Sequence, residues 1–143
     1  TVFHMDDFFL RPEQRTPERF AKPGGNVDWE RFLEEVLEPA HRGECVRYRR
    51  FDCSTFTIQE PVPVMPGKLN VVEGAYSLHP QLEKFYDLKV FLDVTSELQK
   101  ERIVKRNTPE MAKRFFEEWI PMEKIYFESR KVKECSDIII TVL

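Results

Sequence analysis

Acidic residues close two short apolar runs, and that placement carries the chemistry in this sequence. Lys68-Leu69-Asn70-Val71-Val72 leads into Glu73-Gly74, and Thr1-Val2-Phe3-His4-Met5 leads into Asp6-Asp7. An apolar run ended by an acid reads as a buried parallel strand that delivers a carboxylate to the carboxyl edge of a sheet. Open α/β folds bind their ligands at that edge. Two such acids suit magnesium and general-base work, because a hard cation takes carboxylate oxygen and an acid beside a hydroxyl can accept its proton. Either junction alone is equally an ordinary strand-to-loop transition. His4 and Asp6 have the spacing of a His-x-Asp metal pair, although a strand histidine is more commonly packed or partly exposed. A His4/Asp6/Asp7 hydrolase site lacks further histidines, since His41 and His79 fall in unrelated loops.

A second chemical signal is cationic. Arg102, Lys105 and Arg106 lie three and four residues apart and share one face of an expected helix. Lys113 and Arg114 extend the cluster past the break at Asn107-Thr108-Pro109. Cations on two helices joined by a tight break suit a polyphosphate. The alternative is a solvated basic face balanced by Glu97, Glu101, Glu110 and Glu117. Asp28, at the start of an amphipathic stretch, is either a helix cap or a ligand acid, and capping is the simpler role.

Strands alternating with helices must hold these groups, which indicates an α/β three-layer domain. Residues 1 to 5 form the first strand. Residues 11 to 25 are polar and proline-rich and read as a mobile loop ending in Pro23-Gly24-Gly25. A helix runs from Asn26 to Glu38, capped by Asn26 or Asp28, with Trp29, Phe32, Leu33, Val36 and Leu37 on its buried face and Pro39 as its stop. Residues 45 to 52 and 55 to 60 alternate as strands and pair as a hairpin across Asp52-Cys53-Ser54. Pro61, Pro63 and Pro66 keep the following stretch out of any sheet centre. After the strand ending in Glu73, a third parallel-type strand spans Leu88 to Val94. Ser96 with Gln99 forms a capping box for a helix to about Arg106. Thr108-Pro109 caps a last helix from about Glu110 to Lys131, kinked at Pro121. A final strand spans Asp137 to Leu143.

The totals exclude several classes. The 143 residues are one domain by length. A net charge of −3 lacks the basic excess that nucleic acids or membrane surfaces demand, so no nucleic-acid or membrane partner is expected. Cys45, Cys53 and Cys135 are dispersed without metal spacing, which suggests reduced thiols and a cytoplasmic location. The chain opens and closes inside strands, as though cut from a longer one.

The ordered set Met5-Asp6-Asp7-Phe8-Phe9, Asn26-Val27-Asp28-Trp29, Val72-Glu73-Gly74, Val90-Phe91-Leu92-Asp93, Arg102-Ile103-Val104-Lys105-Arg106, Ile120-Pro121 and Ser136-Asp137-Ile138-Ile139 spans nearly the whole sequence. In order and spacing it resembles the uridine kinase-like branch of the P-loop kinases, whose relatives include pantothenate kinase and phosphoribulokinase. The resemblance implies a parallel sheet of the P-loop type and ATP-dependent phosphoryl transfer, with Mg2+, to a hydroxyl of a small molecule, foremost the 5′-OH of a nucleoside. It places Asp6 as general base, Glu73 as the magnesium acid and Asp28 at the ribose hydroxyls. Phe51 and Asp52 fall near the acceptor's base. Arg102, Lys105, Arg106 and, more distantly, Arg114 fall in the phosphate-neutralising lid. A homo-oligomer is compatible with it.

Three departures qualify the resemblance. No Gly-x-x-x-x-Gly-Lys-Ser/Thr loop occurs in the 143 residues, so the expectation is a truncated domain whose first strand and P-loop lie upstream, with poor ATP binding and a sheet lacking its central strand. The hairpin Phe51-Asp52-Cys53-Ser54-Thr55-Phe56 has no histidine where uridine-cytidine kinases contact the pyrimidine. The lid is short and lacks an Arg-Gly-Arg element. The alternative of another class is a non-catalytic nucleotide- or protein-binding relative that has no P-loop.

Overall fold

The computed structural model describes residues 1–142. The chain divides into two compact units, Thr1–Tyr86 and Asp87–Leu143. Both mix helices and strands.

In the first unit β1 (Val2–His4) runs into a 3₁₀ turn at Met5–Asp7. The stretch expected to be a mobile loop is instead built. A 3₁₀ turn at Pro12–Gln14 is followed by α1 (Pro17–Phe20), capped by Thr16, whose hydroxyl accepts from the Arg19 N–H. Proline at the first helical position fits because that amide has no intrahelical partner. Arg19 then clamps the segment. Its guanidinium donates to the carbonyls of Gly25 and Val27 and pairs with both oxygens of Glu30 at 2.5 and 2.7 Å. A Cβ on Gly25 would stand 2.0 Å from the Arg19 carbonyl oxygen, so only glycine lets the two backbones meet.

Helix α2 (Trp29–Phe32) is capped by Asp28, then widens into a π turn at Leu33–Leu37 and resumes as α3 (Glu38–His41). Pro39 therefore does not stop the helix. The wide turn sends the Glu38 N–H back five residues to the Leu33 carbonyl. Pro39 follows directly, where its missing N–H leaves no gap in the shifted ladder.

Strand β2 (Val46–Tyr48) precedes the hairpin of β3 (Phe51–Asp52) and β4 (Thr57–Ile58), and β5 (Val62–Val64) returns to β2. The hairpin expected over residues 45 to 60 is thus two nested antiparallel pairs. Pro63 sits opposite Arg47 in a two-stranded pair, where every strand is an edge and proline is tolerated. Strand β6 (Val71–Glu73) pairs parallel with β1.

The core of this unit gathers Phe3, Met5, Phe8, Leu10, Val27, Phe32, Val36, Val46 and Tyr48. Phe8 meets Phe32 edge-on at 4.9 Å and stacks with Tyr48 at 5.8 Å. Each such aromatic contributes about 1.5–3 kcal/mol by burial. This packing fixes the acid turn from beneath, because Met5 and Phe8 flank Asp6 and Asp7 and are both fully buried.

In the second unit β7 (Val90–Val94) is followed by α4 (Ser96–Arg106). Thr95, not Ser96, is its cap, its hydroxyl accepting from Leu98 N at 3.2 Å. Thr108 caps α5 (Pro109–Arg114), a π turn spans Phe115–Trp119, and α6 (Ile120–Arg130) follows. The wide turn lies directly ahead of Ile120-Pro121 and repeats the arrangement at Pro39; it is the form taken here by the proline's disturbance. Lys131, at φ 49°, ends α6 in a left-handed cap. Strand β8 (Ile138–Val142) pairs parallel with β7 over five residues; the expected strand end at Leu143 lies outside the described residues. Leu92, Ile138, Ile139 and Ile140 are 60, 44, 47 and 48% exposed, so strands that read as fully buried are open to solvent.

Among the described residues the strands form four two-stranded pairs, two parallel and two antiparallel, instead of one continuous sheet. Runs of two to five residues, most of them three or fewer, carry too little pattern to declare how many strands share a ladder.

Candidate functional site

Parallel register brings the two acid-bearing ends together. Val2, Phe3 and His4 stand opposite Val71, Val72 and Glu73, so both strands finish at one edge. His4 Nδ1 contacts Glu73 Oε1 directly, and both side chains are about half exposed, at 49 and 54%. His4 is therefore a partner of Glu73, not the core of a metal triad. No group of three or more His, Cys, Asp or Glu side chains among the described residues could hold a metal ion.

Gly74 closes the site from the other side. Its φ of +132° is a conformation that favours glycine, and a Cβ there would lie 2.9 Å from Met5 Cβ and 3.6 Å from Asp6 Oδ1. The Asp6 carboxylate thus rests against the residue that follows Glu73. Asp6 and Glu73 are exposed at this edge. One oxygen of Glu73 faces His4, which leaves its second oxygen to other partners.

Asp7 points elsewhere. Its Oδ2 is 3.4 Å from Arg50 Nε. Its carbonyl accepts from Arg31 Nη2 at 3.4 Å. Arg31 was not singled out by the sequence, yet it ties the site together. Its guanidinium reaches Asp28 Oδ2 at 3.3 Å, Glu35 Oε2 at 3.5 Å and the Arg49 carbonyl, and it lies 4.3 Å from the Phe8 ring centroid. Burial pushes its pKa down, against the opposing charges of Glu35 and Asp28. The available signal was the Asp28…Arg31 spacing, a cap followed by a cation one turn later.

Asp28 is buried to 1% exposure and works as the helix cap, Oδ1 accepting from Arg31 N at 3.3 Å. Arg11 Nε stands 3.7 Å from its other oxygen. The carboxylate expected at ribose hydroxyls is, in this structure, engaged by two arginines and a backbone amide.

The root of the β3–β4 hairpin is tied to the acid turn, by Arg31 at the Arg49 carbonyl and by Arg50 at Asp7. Asp52 organises its tip: Oδ1 accepts from the Ser54 hydroxyl at 2.6 Å and from Ser54 N at 2.8 Å. Those bonds hold its carboxyl below the usual aspartate range. Phe51 is buried and Phe56, 5.9 Å away and edge-on to it, is 49% exposed. Phe56 adopts φ 57°, a left-handed conformation that costs a residue with a Cβ about 1–2 kcal/mol. Arg15, also missed by the sequence reading, places its guanidinium 4.9 Å from the Phe56 centroid and 5.8 Å from that of Phe51. Burial pushes the Cys53 thiol up, with Arg15 opposing and Asp52 and Asp6 adding to the shift.

Behind the site, Trp29 stacks on the buried His79 ring at 5.1 Å.

The remaining expected residues belong to the second unit. Arg102 and Arg106 line a cavity of about 210 Å³ with Val94, Gln99, Ile103, Phe115, Ile120 and Glu123. Arg106 lies 5.4 Å from the Phe115 ring. Arg114 is turned away, paired with Glu118 at 3.2 Å and 5.0 Å from the Trp119 ring. Lys105 is exposed and outside that lining. The structure brings two of the four expected cations together.

No helix among the described residues is long and apolar enough to cross a membrane. No family model matches the chain, and no curated protein matches it. Solved structures do. The chain is similar to a possible uridine kinase from Bacillus stearothermophilus, with a TM-score of 0.68 over 97% of this chain and 70% of that one, at 19% identity. The likeness shows a uridine kinase-like fold.

Proposed function

We propose that the chain carries the acceptor side of an ATP-dependent phosphoryl transfer to a small-molecule hydroxyl, the 5′-OH of a nucleoside in a uridine kinase-like reaction. The observation that carries this reading is the in-register pair β1–β6, which ends in His4 and Glu73 at one edge, with Asp6 in the turn that follows and close to Gly74. Phosphoryl transfer asks for positioning and charge neutralisation more than covalent chemistry. Asp6 is the general base: an exposed carboxylate on a turn pinned by two fully buried neighbours. Asp28 keeps the helix start and Arg11 in place, and a ribose diol would reach it by displacing Arg11, its longer-range partner.

Glu73 suits magnesium. It is a half-exposed carboxylate at the strand end with one oxygen left by His4, and Mg2+ is commonly held by one or two carboxylates together with substrate phosphates and water. When bound there the ion would neutralise phosphate charge. Arg102, Lys105 and Arg106 are the phosphate-neutralising cations that the resemblance implies. Three free thiols suit a reducing, cytoplasmic setting.

A second reading rests on the sequence itself. Residues 1–143 contain no Gly-x-x-x-x-Gly-Lys-Ser/Thr run, and a relative without that loop would bind a nucleoside or protein without turning it over. Phosphoryl transfer from ATP to uridine and a panel of small alcohols, with Mg2+, separates the two. The enzyme reading expects turnover that Asp6→Asn lowers about 10²–10⁴-fold at unchanged acceptor affinity. Near-normal turnover in Asp6→Asn removes Asp6 from the mechanism. Acceptor binding without any turnover selects the second reading.

A further inference from the structure

Phe56 and Arg15 form a feature that the phosphoryl-transfer chemistry does not use. The hairpin tip spans residues 53–56 between β3 and β4. A left-handed residue at such a tip is ordinarily glycine or asparagine. Here it is a phenylalanine at φ 57°, and half of its surface stays in solvent. Burial therefore does not explain the residue. What the ring does touch is specific: Phe51 beneath it and the Arg15 guanidinium over it.

Arg15 is equally constrained. Its Nε–H donates to the Leu10 carbonyl at 2.9 Å, which fixes the guanidinium on the two rings. Its two Nη groups have no hydrogen-bond or ion-pair partner among the described residues. Every other arginine around the acid turn is satisfied: Arg11 by Gln14 and Glu13, Arg31 by Asp28 and Glu35, and Arg50 by Asp7 and Tyr48. A guanidinium laid on aromatic rings and held at Nε presents its Nη edge in one orientation. That edge matches the two oxygens of a carboxylate or phosphate. Arg50 and Arg31 anchor the hairpin root to Asp7, the neighbour of Asp6.

We infer that Arg15, carried on Phe56 and Phe51, is a specificity residue that reads an oxyanion on the acceptor, so that the preferred substrate is a hydroxyl compound bearing a carboxylate or phosphate at the end remote from the reacting hydroxyl. This rests on the reading of the Asp6 edge as a phosphoryl-acceptor site.

The test compares three probes that share an intact ribose and a free 5′-OH: uridine, 5-carboxyuridine and 5-phosphonouridine. Dissociation constants are measured by calorimetry on the wild-type chain, Arg15→Gln, Arg15→Lys and Phe56→Gly. The glycine variant suits the left-handed tip and leaves the hairpin folded while removing the ring. Expected is a preference of about tenfold or more for one anionic probe over uridine, lost in Arg15→Gln and reduced in Arg15→Lys and Phe56→Gly, with uridine affinity unchanged throughout. Preference for 5-carboxyuridine identifies the anion as a carboxylate on the base, and preference for 5-phosphonouridine identifies it as a phosphate-type oxyanion there. Equal affinities for all three in the wild type overturn the inference and leave the acceptor-site reading standing. A preference that persists in Arg15→Gln overturns the role of Arg15. Failure of all three probes to bind overturns the inference together with the nucleoside reading.

Discussion

Replacing Gly74 by alanine tests the central geometric claim, that the ends of β1 and β6 are pressed together by a residue without a side chain. Two costs follow. At φ +132° a residue with a Cβ sits in a region that costs about 1–3 kcal/mol. The new Cβ would also stand 2.9 Å from Met5 Cβ, whereas non-bonded carbons rest about 3.5–4.0 Å apart. The strand end and the turn must therefore part by about 0.6–1.1 Å. Met5 is fully buried and cannot swing away, so overpacking adds about 1–3 kcal/mol. Alanine regains about 0.4–1 kcal/mol by restricting the unfolded chain. The expected net loss is about 1–5 kcal/mol in the first unit. Urea denaturation followed by Trp29 fluorescence measures it; a Trp119→Phe background removes the other of the two tryptophans. The same displacement moves Asp6 relative to Glu73, and on the proposed phosphoryl-transfer reading a shift near 1 Å lowers turnover about 10²-fold. A stability loss under about 0.5 kcal/mol would refute the steric argument. Full turnover per folded molecule, despite the expected destabilisation, would show that the closeness of Asp6 and Gly74 is not used.

Gly25→Ala should release the clamped segment, because its Cβ would collide with the Arg19 carbonyl at 2.0 Å; limited trypsinolysis at Arg15 and Arg19 should become faster, and an unchanged cleavage rate would contradict the account. Glu30 carries a pH signature: burial raises its pKa, but the Arg19 hydrogen bond and charge outweigh that and hold it below 4.5. A lowered folded pKa contributes stability that is present above about pH 4.5 and is lost as pH falls through the folded value. Glu30→Gln should therefore flatten the acid limb of a stability–pH curve below pH 4.5, and a parallel downward shift of the whole curve would contradict this. Arg31→Lys removes the planar fork while keeping charge, and should cost about 2–4 kcal/mol by leaving Asp28 and two carbonyls short of donors; denaturation checks it, and a near-neutral result would show that Arg31 is not the tie between helix, turn and hairpin.

What the sequence made legible was local. Thr108-Pro109 announced a cap and a first helical residue, and α5 begins there. The acids at Asp6 and Glu73 marked strand ends because the apolar run, the acid and the glycine lie within a few residues of one another. Prolines misled because their effect depends on the hydrogen-bond ladder around them. Pro39 ends an α-helix in isolation, but a π turn before it moves the ladder by one residue and the helix continues to His41. Pairing was the least legible feature. Val46–Tyr48 and Val62–Val64 are separated by an entire hairpin, and three residues alternate too briefly to name a partner. Arg15 and Phe56 were invisible for the same reason: one follows a 3₁₀ turn, the other closes a hairpin tip, and only the folded chain stacks them.

Of the two roles the sequence offered Asp28, the structure shows the cap, and its second oxygen is the one the proposed ligand role would use. As a cap it needs a single oxygen, and Oδ1 serves the Arg31 amide. Oδ2 is then held by Arg31 Nε at 3.3 Å and approached by Arg11 Nε at 3.7 Å. A carboxylate at 1% exposure would be costly unless so paired. The two arginines differ, however. Arg31 is 5% exposed and bound on every side, whereas Arg11 is 41% exposed and has Gln14 and Glu13 as further partners. Withdrawing Arg11 would uncover Oδ2 without breaking the cap or leaving a guanidinium stranded. On the proposed acceptor-site reading, a ribose diol would take the place of Arg11 at Oδ2 while Oδ1 and Arg31 keep the helix start.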